Sequence, residues 1–108
     1  MLLSSCSGRD SVNPNDANAA TSNIENKGSD TVVNLALAWA EAYQVNHDQV
    51  TISVTGGGSG SGIASLINGT ADIANASRKI KDEEIQNAKV NGITPVEFVI
   101  ARDAIAVI

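Results

Sequence analysis

The sequence predicts an α/β domain in which helices and strands alternate from Lys27 onward. Three observations predict it. Val32, Leu35, Ala36, Trp39, Ala40 and Tyr43 recur at the helical period, and Val50, Ile52 and Val54 then alternate with Thr51 and Ser53 at the strand period. A glycine-serine stretch, Gly56 to Gly62, follows that strand and leads into a second apolar helical segment. Apolar residues make up 43% and charged residues 18% of 108 residues, a globular rather than a disordered composition. With one Trp, one Tyr and one Phe, the core must be built from Ala, Val, Ile and Leu.

The elements follow in order. Ser29 or Asp30 can cap the first helix, which ends near Asn46. The strand over Val50–Val54 comes next, then the glycine loop, then a short helix through Ile63, Leu66 and Ile67 closed by Gly69. Ala71 to Ala76 read as a second short strand. Asp82, Glu83 and Glu84 suit a helix N-terminus, where carboxylates meet the positive end of the helix dipole. That helix runs to about Val90 and stops at Gly92. Val96 to Ile100 and Ala104 to Ile108 are apolar runs expected as strands, and the second reaches the last residue, which reads as a piece of a longer reading frame.

The tail before Lys27 is different. Leu3-Ser4-Ser5-Cys6 has the pattern of a bacterial lipoprotein processing site, at which the Cys carries the lipid. Residues 1–6 are accordingly expected as a truncated signal remnant. Only Met1 to Ser5 precede Cys6, whereas a secretory signal has an apolar stretch of about 7–15 residues. Ser7 to Asn26, rich in Ser, Asn, Asp, Gly and Ala, is expected as a flexible tether. The competing reading is a free Cys in a disordered tail. Lipidation would anchor the protein to a membrane rather than span it, and no apolar run approaches the roughly 20 residues that spanning needs.

Composition excludes several functions. A net charge of −5 argues against a nucleic-acid partner, which needs a basic surface. One Cys and one His argue against a disulfide framework and a structural zinc site, so neither metal nor cofactor is expected. His47-Asp48 lacks a nucleophile at an accepted spacing and reads as a surface turn. Arg102-Asp103 reads as a charged turn. The sequons at Asn68 and Asn75 matter only in a eukaryotic secretory pathway.

The loop Thr55-Gly56-Gly57-Gly58-Ser59-Gly60-Ser61-Gly62 carries the most chemistry. Backbone N–H groups between a strand and a helix can hold an anion, and serines add hydroxyl donors. Enzyme motifs fail on it. Ile63 stands where the Walker A lysine would be. The dinucleotide fingerprint fails at Ser61 from Gly56 and at Ile63 from Gly58. The nucleophile elbow around Ser59 needs a glycine where Ser61 stands. An anion cradle without catalytic residues remains, against the alternative of a plain flexible loop.

Gly28-Ser29-Asp30-Thr31, Trp39-Ala40-Glu41-Ala42-Tyr43, the loop Gly56 to Gly62, and Gly69-Thr70-Ala71-Asp72-Ile73-Ala74-Asn75-Ala76-Ser77-Arg78 together resemble the phosphate-binding proteins of bacterial ABC transporters. The resemblance covers about residues 27–108, the first part of the first of two lobes. It implies a type II periplasmic-binding-protein-like lobe, partial, three-layered, with helices flanking a mixed sheet and the second lobe missing. It also implies a non-catalytic, extracytoplasmic protein whose partners are inorganic phosphate and a membrane permease. The implied phosphate ligands are Asp30, Thr31, Ser59, Gly60, Ser77 and Arg78.

Many members of that family have Ser-Asp where this chain has Ser77-Arg78, and there the Asp accepts the phosphate proton. Here Arg78 can supply a charged fork, and Asp30 is the candidate acceptor. Each residue also has a plainer reading: Asp30 as a helix cap, Thr31 as a first-turn hydroxyl, Ser59 as a loop hydroxyl, Ser77 as a turn residue. Arg78, with Lys79 and Lys81, reads alternatively as a solvated basic patch beside Asp82, Glu83 and Glu84. Alternative functions are a binder of another oxyanion such as sulfate or molybdate, a sensor, and an enzyme acting on phosphorylated substrates.

Overall fold

The computed structural model describes residues 21–107. The elements run β1 (Ser22–Gly28), α1 (Asp30–Asn46), β2 (Val50–Thr55), α2 (Ser59–Ile67), β3 (Ile73–Asn75) and α3 (Asp82–Val90). The strands form one sheet in the order β2-β1-β3, and both pairings are parallel. The mixed sheet expected from the resemblance is therefore all parallel among the described residues.

The central strand corrects the expected tether. Residues 22–26, assigned to a flexible segment, lie inside β1, paired with β2 on one side and β3 on the other. Ile24 and Asn26 pair with Ile52 and Val54, so they share the β2 face that meets α1. Asn26 is buried, and its side-chain oxygen accepts from Asn75 Nδ2, a polar link between β1 and β3. Cys6 and residues 7–20 lie outside the described residues.

Helices cover both faces of the sheet. Ala36 and Ala40 of α1 are buried and line one pocket with the half-buried Ile24 and Ile52. Only these small residues of the predicted apolar stripe are deeply covered; Leu35, Trp39 and Tyr43 remain 40%, 49% and 47% exposed. Gln44 Oε1 accepts the Ile52 N–H at 2.7 Å, tying the end of α1 to β2. On the other face α2 packs on β1 and β3 through Ile63, 2% exposed. Gly62 permits this: a Cβ there would meet the Lys27 carbonyl oxygen and Gly28 Cα. Alternation along the sheet thus gives opposite faces to α1 and α2.

The third helix joins the second. Asn91 Nδ2 donates to the Ile67 carbonyl at 3.0 Å, satisfying one of the carbonyls that a helix end leaves open, and Ala88 is 1% exposed. Asp72 fixes the entry to β3. Its carboxylate accepts the Glu25 N–H at 2.9 Å, and its own N–H donates to the Glu25 carbonyl at 2.8 Å.

The strands expected at Val96–Ile100 and Ala104–Ile108 do not form among the described residues: 93–107 carry no helix or strand. A strand needs a neighbour to receive its N–H and C=O groups, and no described strand pairs with this segment. Its apolar side chains are open, Phe98 at 80% and Ile105 at 92%. Among the described residues no helix is long and apolar enough to cross a membrane.

Candidate anion site

The carboxyl ends of β1, β2 and β3 lead into Ser29, Gly56 and Ala76. In an order of β2-β1-β3 the chain leaves β1 to one side and returns to β3 on the other, a topological switch point, where open α/β sheets bind ligands. Helices α1 and α2 both begin here.

The predicted glycine loop is shorter than expected. Gly56 to Gly58 form the loop, while Ser59, Gly60, Ser61 and Gly62 are the first turn of α2. Gly58 N–H donates to the Gly28 carbonyl at 3.0 Å, fixing the loop on β1, and Gly62 N–H makes the first helical bond, to the Gly58 carbonyl at 3.1 Å. The N–H groups of Ser59, Gly60 and Ser61 fall in the turn that has no intrahelical acceptor. They are the donors that a helix N-terminus offers an anion.

Asp30 is the first residue of α1, and Ser29 precedes it as the cap position. The Ser29 side chain makes no capping bond; its N–H donates to the Asn75 carbonyl at 2.9 Å and its carbonyl accepts from Val32 at 3.1 Å. The reading of Asp30 as the cap is thereby corrected. Its Oδ1 instead accepts the Gly57 N–H at 3.0 Å, so the start of α1 holds the glycine loop.

Ser59 joins α2 to the turn after β3. Its Oγ accepts the Ser77 N–H at 3.0 Å and lies 3.1 Å from Ser77 Oγ. Two predicted site residues 18 positions apart are thus in direct contact. Thr31, in the first turn of α1, lines a groove with Ser77 and Arg78. Gly60 is exposed on the first turn of α2. Asp30 contacts the loop rather than Arg78 or Ser77.

Arg78 is exposed, with its side chain 34% open, and is paired with Glu84 at the start of α3. Its Nη1 donates to Glu84 Oε2 at 2.9 Å and to the Lys79 carbonyl at 2.9 Å, and its Nη2 donates to Glu84 Oε1 at 2.7 Å. Glu84 Oε2 also accepts the Lys81 N–H at 2.9 Å, closing the N-terminus of α3. The reciprocal half of a capping box is absent here because lysine offers no acceptor. The Arg78 bonds, then the Lys81 N–H, draw the Glu84 carboxyl down to about 2. The same carboxylate raises the Arg78 pKa above its usual value. Glu84 is the site-region residue that the sequence does not single out: it reads as one of three acids that start a helix beside the basic residues Arg78, Lys79 and Lys81.

These features gather N–H and hydroxyl donors at the carboxyl ends of parallel strands in an α/β lobe. Residues 13–108 match the PBP superfamily domain, and the chain belongs to that family. It is 36% identical over 92 residues to Phosphate-binding protein PstS of Pseudomonas aeruginosa, matching 84% of this chain and 28% of that one. It is 37% identical over 93 residues to Protein SphX of Synechococcus elongatus, with 86% and 28% covered. The chain therefore spans under a third of the length of these relatives.

Solved structures agree. An ABC-type phosphate transport receptor from Vibrio cholerae superposes with a TM-score of 0.58 at 39% identity, covering 61% of this chain and 26% of that chain. A possible phosphate binding protein from Planctomyces limnophilus gives 0.64 at 30% identity, covering 67% and 25%.

Proposed function

We propose that this chain forms part of an extracytoplasmic solute-binding protein that captures inorganic phosphate for an ABC transporter permease. One observation carries the reading: Ser59 and Ser77 are in contact where the first turn of α2 meets the end of β3. The relatives named phosphate-binding proteins support phosphate as the oxyanion. Asp30, Thr31, Ser59, Gly60, Ser77 and Arg78 are the proposed ligands. Thr31, Ser59 and Ser77 would give hydroxyls, Gly60 its backbone N–H, and Arg78 a charged fork.

The mechanism is replacement of hydration by fixed donors. An anion leaving water loses its hydrogen bonds, and a site with preplaced N–H and O–H groups restores them. A second lobe, which the relatives' greater length leaves room for, closes over the anion and presents a distinct shape to the permease. A lipid on Cys6 would hold the protein at the membrane surface. The reading is of a binder, not an enzyme.

A second reading, capture of sulfate or molybdate, is favoured by Arg78 standing where many family members have an acidic residue. Phosphate retains a proton at neutral pH and sulfate does not, so a carboxylate acceptor favours phosphate. Asp30 is proposed for that task through the oxygen that Gly57 does not occupy. Calorimetric titration of phosphate, sulfate and molybdate into the full-length polypeptide tests both readings. Preference for phosphate, lost in Asp30→Ala, supports the first; preference for sulfate or molybdate replaces it with the second.

A further inference from the structure

Arg78 sits beside Ser77 in the chain, yet its guanidinium is committed to Glu84 and the Lys79 carbonyl. A guanidinium has five N–H bonds in one plane. Nη1 uses both of its own, and Nη2 uses the one facing Glu84. The other Nη2 bond and the Nε–H lie side by side on one edge. Among the described residues neither has an acceptor. Glu84 is the more covered partner, with its side chain 17% exposed against 34% for Arg78. The carboxylate is therefore the anchored half and the arginine the half that opens onto the groove it shares with Thr31 and Ser77.

Resting on the phosphate-capture reading above, we infer that Glu84 is a positioning residue for anion binding: it grips one edge of Arg78 so that the Nε–Nη2 edge stands ready as a two-pronged donor to two oxygens of one tetrahedral oxyanion. Glu84 does not touch the anion. It removes rotamer freedom from a long side chain before the ligand arrives, and that freedom otherwise opposes binding. It also balances the arginine charge, so that Arg78 contributes direction more than net attraction. Lysine cannot substitute, because an ammonium is a point charge without a fork. Glu84 has a second bond, to the Lys81 N–H, that closes α3; a purely structural role for its bonds would leave phosphate affinity unchanged in a folded variant.

The test is phosphate titration of the full-length polypeptide with Arg78→Gln, Arg78→Lys, Glu84→Gln and the double variant Arg78→Gln/Glu84→Gln. Arg78→Gln and Arg78→Lys are both expected to weaken phosphate by about tenfold or more. Glu84→Gln keeps an oxygen for the Lys81 N–H but loses the two-oxygen grip, and is expected to weaken phosphate by about three- to tenfold. In the Arg78→Gln background Glu84→Gln should change the Kd by less than about twofold, because residues acting through one another are not additive. Wild-type affinity in a folded Glu84→Gln protein, or an undiminished Glu84 effect without Arg78, overturns the positioning role while leaving phosphate capture standing. If Glu84→Gln does not fold, Arg78→Lys decides: wild-type affinity there overturns the fork. No phosphate binding by the unaltered protein overturns the functional reading itself.

Discussion

Two glycines of α2, two residues apart, should respond to the same substitution with opposite sign. A Cβ built on Gly62 would lie 2.5 Å from Gly28 Cα and would also meet the Lys27 carbonyl oxygen. Ordinary carbon contacts are about 3.5–4.0 Å, so α2 must retreat from the central strand by about 1 Å. Both obstacles are backbone atoms of the middle strand, which cannot rotate aside as a side-chain end could. Overpacking of this kind costs about 1–3 kcal/mol, while alanine regains about 1 kcal/mol over glycine inside a helix. Gly62→Ala should therefore destabilise by up to about 2 kcal/mol. A Cβ on Gly60 meets nothing within 4 Å, so Gly60→Ala keeps only the gain, about 0.5–1 kcal/mol. Urea unfolding of both variants in one full-length background is the assay. A Gly62→Ala protein as stable as Gly60→Ala would refute the claim that α2 is set against β1 by the absence of a side chain.

Three further outcomes are expected. Ser59→Ala removes the acceptor of the Ser77 N–H and a proposed ligand hydroxyl; calorimetry should show phosphate weakened by about tenfold or more, as bonds to charged groups contribute about 1.5–3 kcal/mol, whereas a lowered melting temperature at constant Kd would make Ser59 only a brace. The Glu84 carboxyl, held at about 2 against about 4.3 in an open chain, is depressed by folding, so its contribution is fully present above about pH 4.3 and is lost as pH falls through about 2. Wild type should then lose more stability than Glu84→Gln over that window in urea melts taken at successive pH values, and parallel curves would deny the ion pair any share. In bacteria carrying the whole reading frame, Cys6→Ser should abolish incorporation of a labelled fatty acid and release the protein from membranes; unchanged labelling would remove Cys6 as the anchor.

Legibility of the fold followed periodicity. Helix α1 and strand β2 announced themselves by clean repeats of apolar residues, and α3 by its acidic start and Gly92 stop, because each pattern is local. The central strand did not. In SNIENKG only Ile24 is a large apolar residue, and the other inward position holds Asn26, whose burial is made tolerable by Asn75 from far along the chain. Parallel strands ordinarily read as apolar runs, so a polar one bordered by a Ser- and Asn-rich tail passes for tether. The reverse holds at Val96–Ile100 and from Ala104 on, where apolar character suggests strands although pairing depends on a neighbour no local pattern supplies. At the site, the first turn of α2 reads as loop because its glycines and serines are poor helix formers, while the structure gives them to the helix. The Ser59–Ser77 contact and the Arg78–Glu84 grip were beyond local reading, since both join segments across turns.

The acidic balance of the chain and the proposal of an anion ligand are compatible because the donors here are almost all neutral. Hydroxyls of Thr31, Ser59 and Ser77 and the first-turn N–H groups of α2 carry partial charges whose direction matters more than their sum. Those directions are inherited from the sheet: α1 and α2 leave strands whose carboxyl ends lie at one edge, on opposite faces, and Asp30 and Ser59 then tie the helix starts to the glycine loop and to the turn after β3. Arg78, the exception, is offset by Glu84. A site made this way, if it holds the proposed anion, would discriminate by where its donors and acceptors stand rather than by net attraction. On the proposed assignment, selectivity among tetrahedral anions would turn on whether one oxygen of the ligand carries a proton that Asp30 can accept.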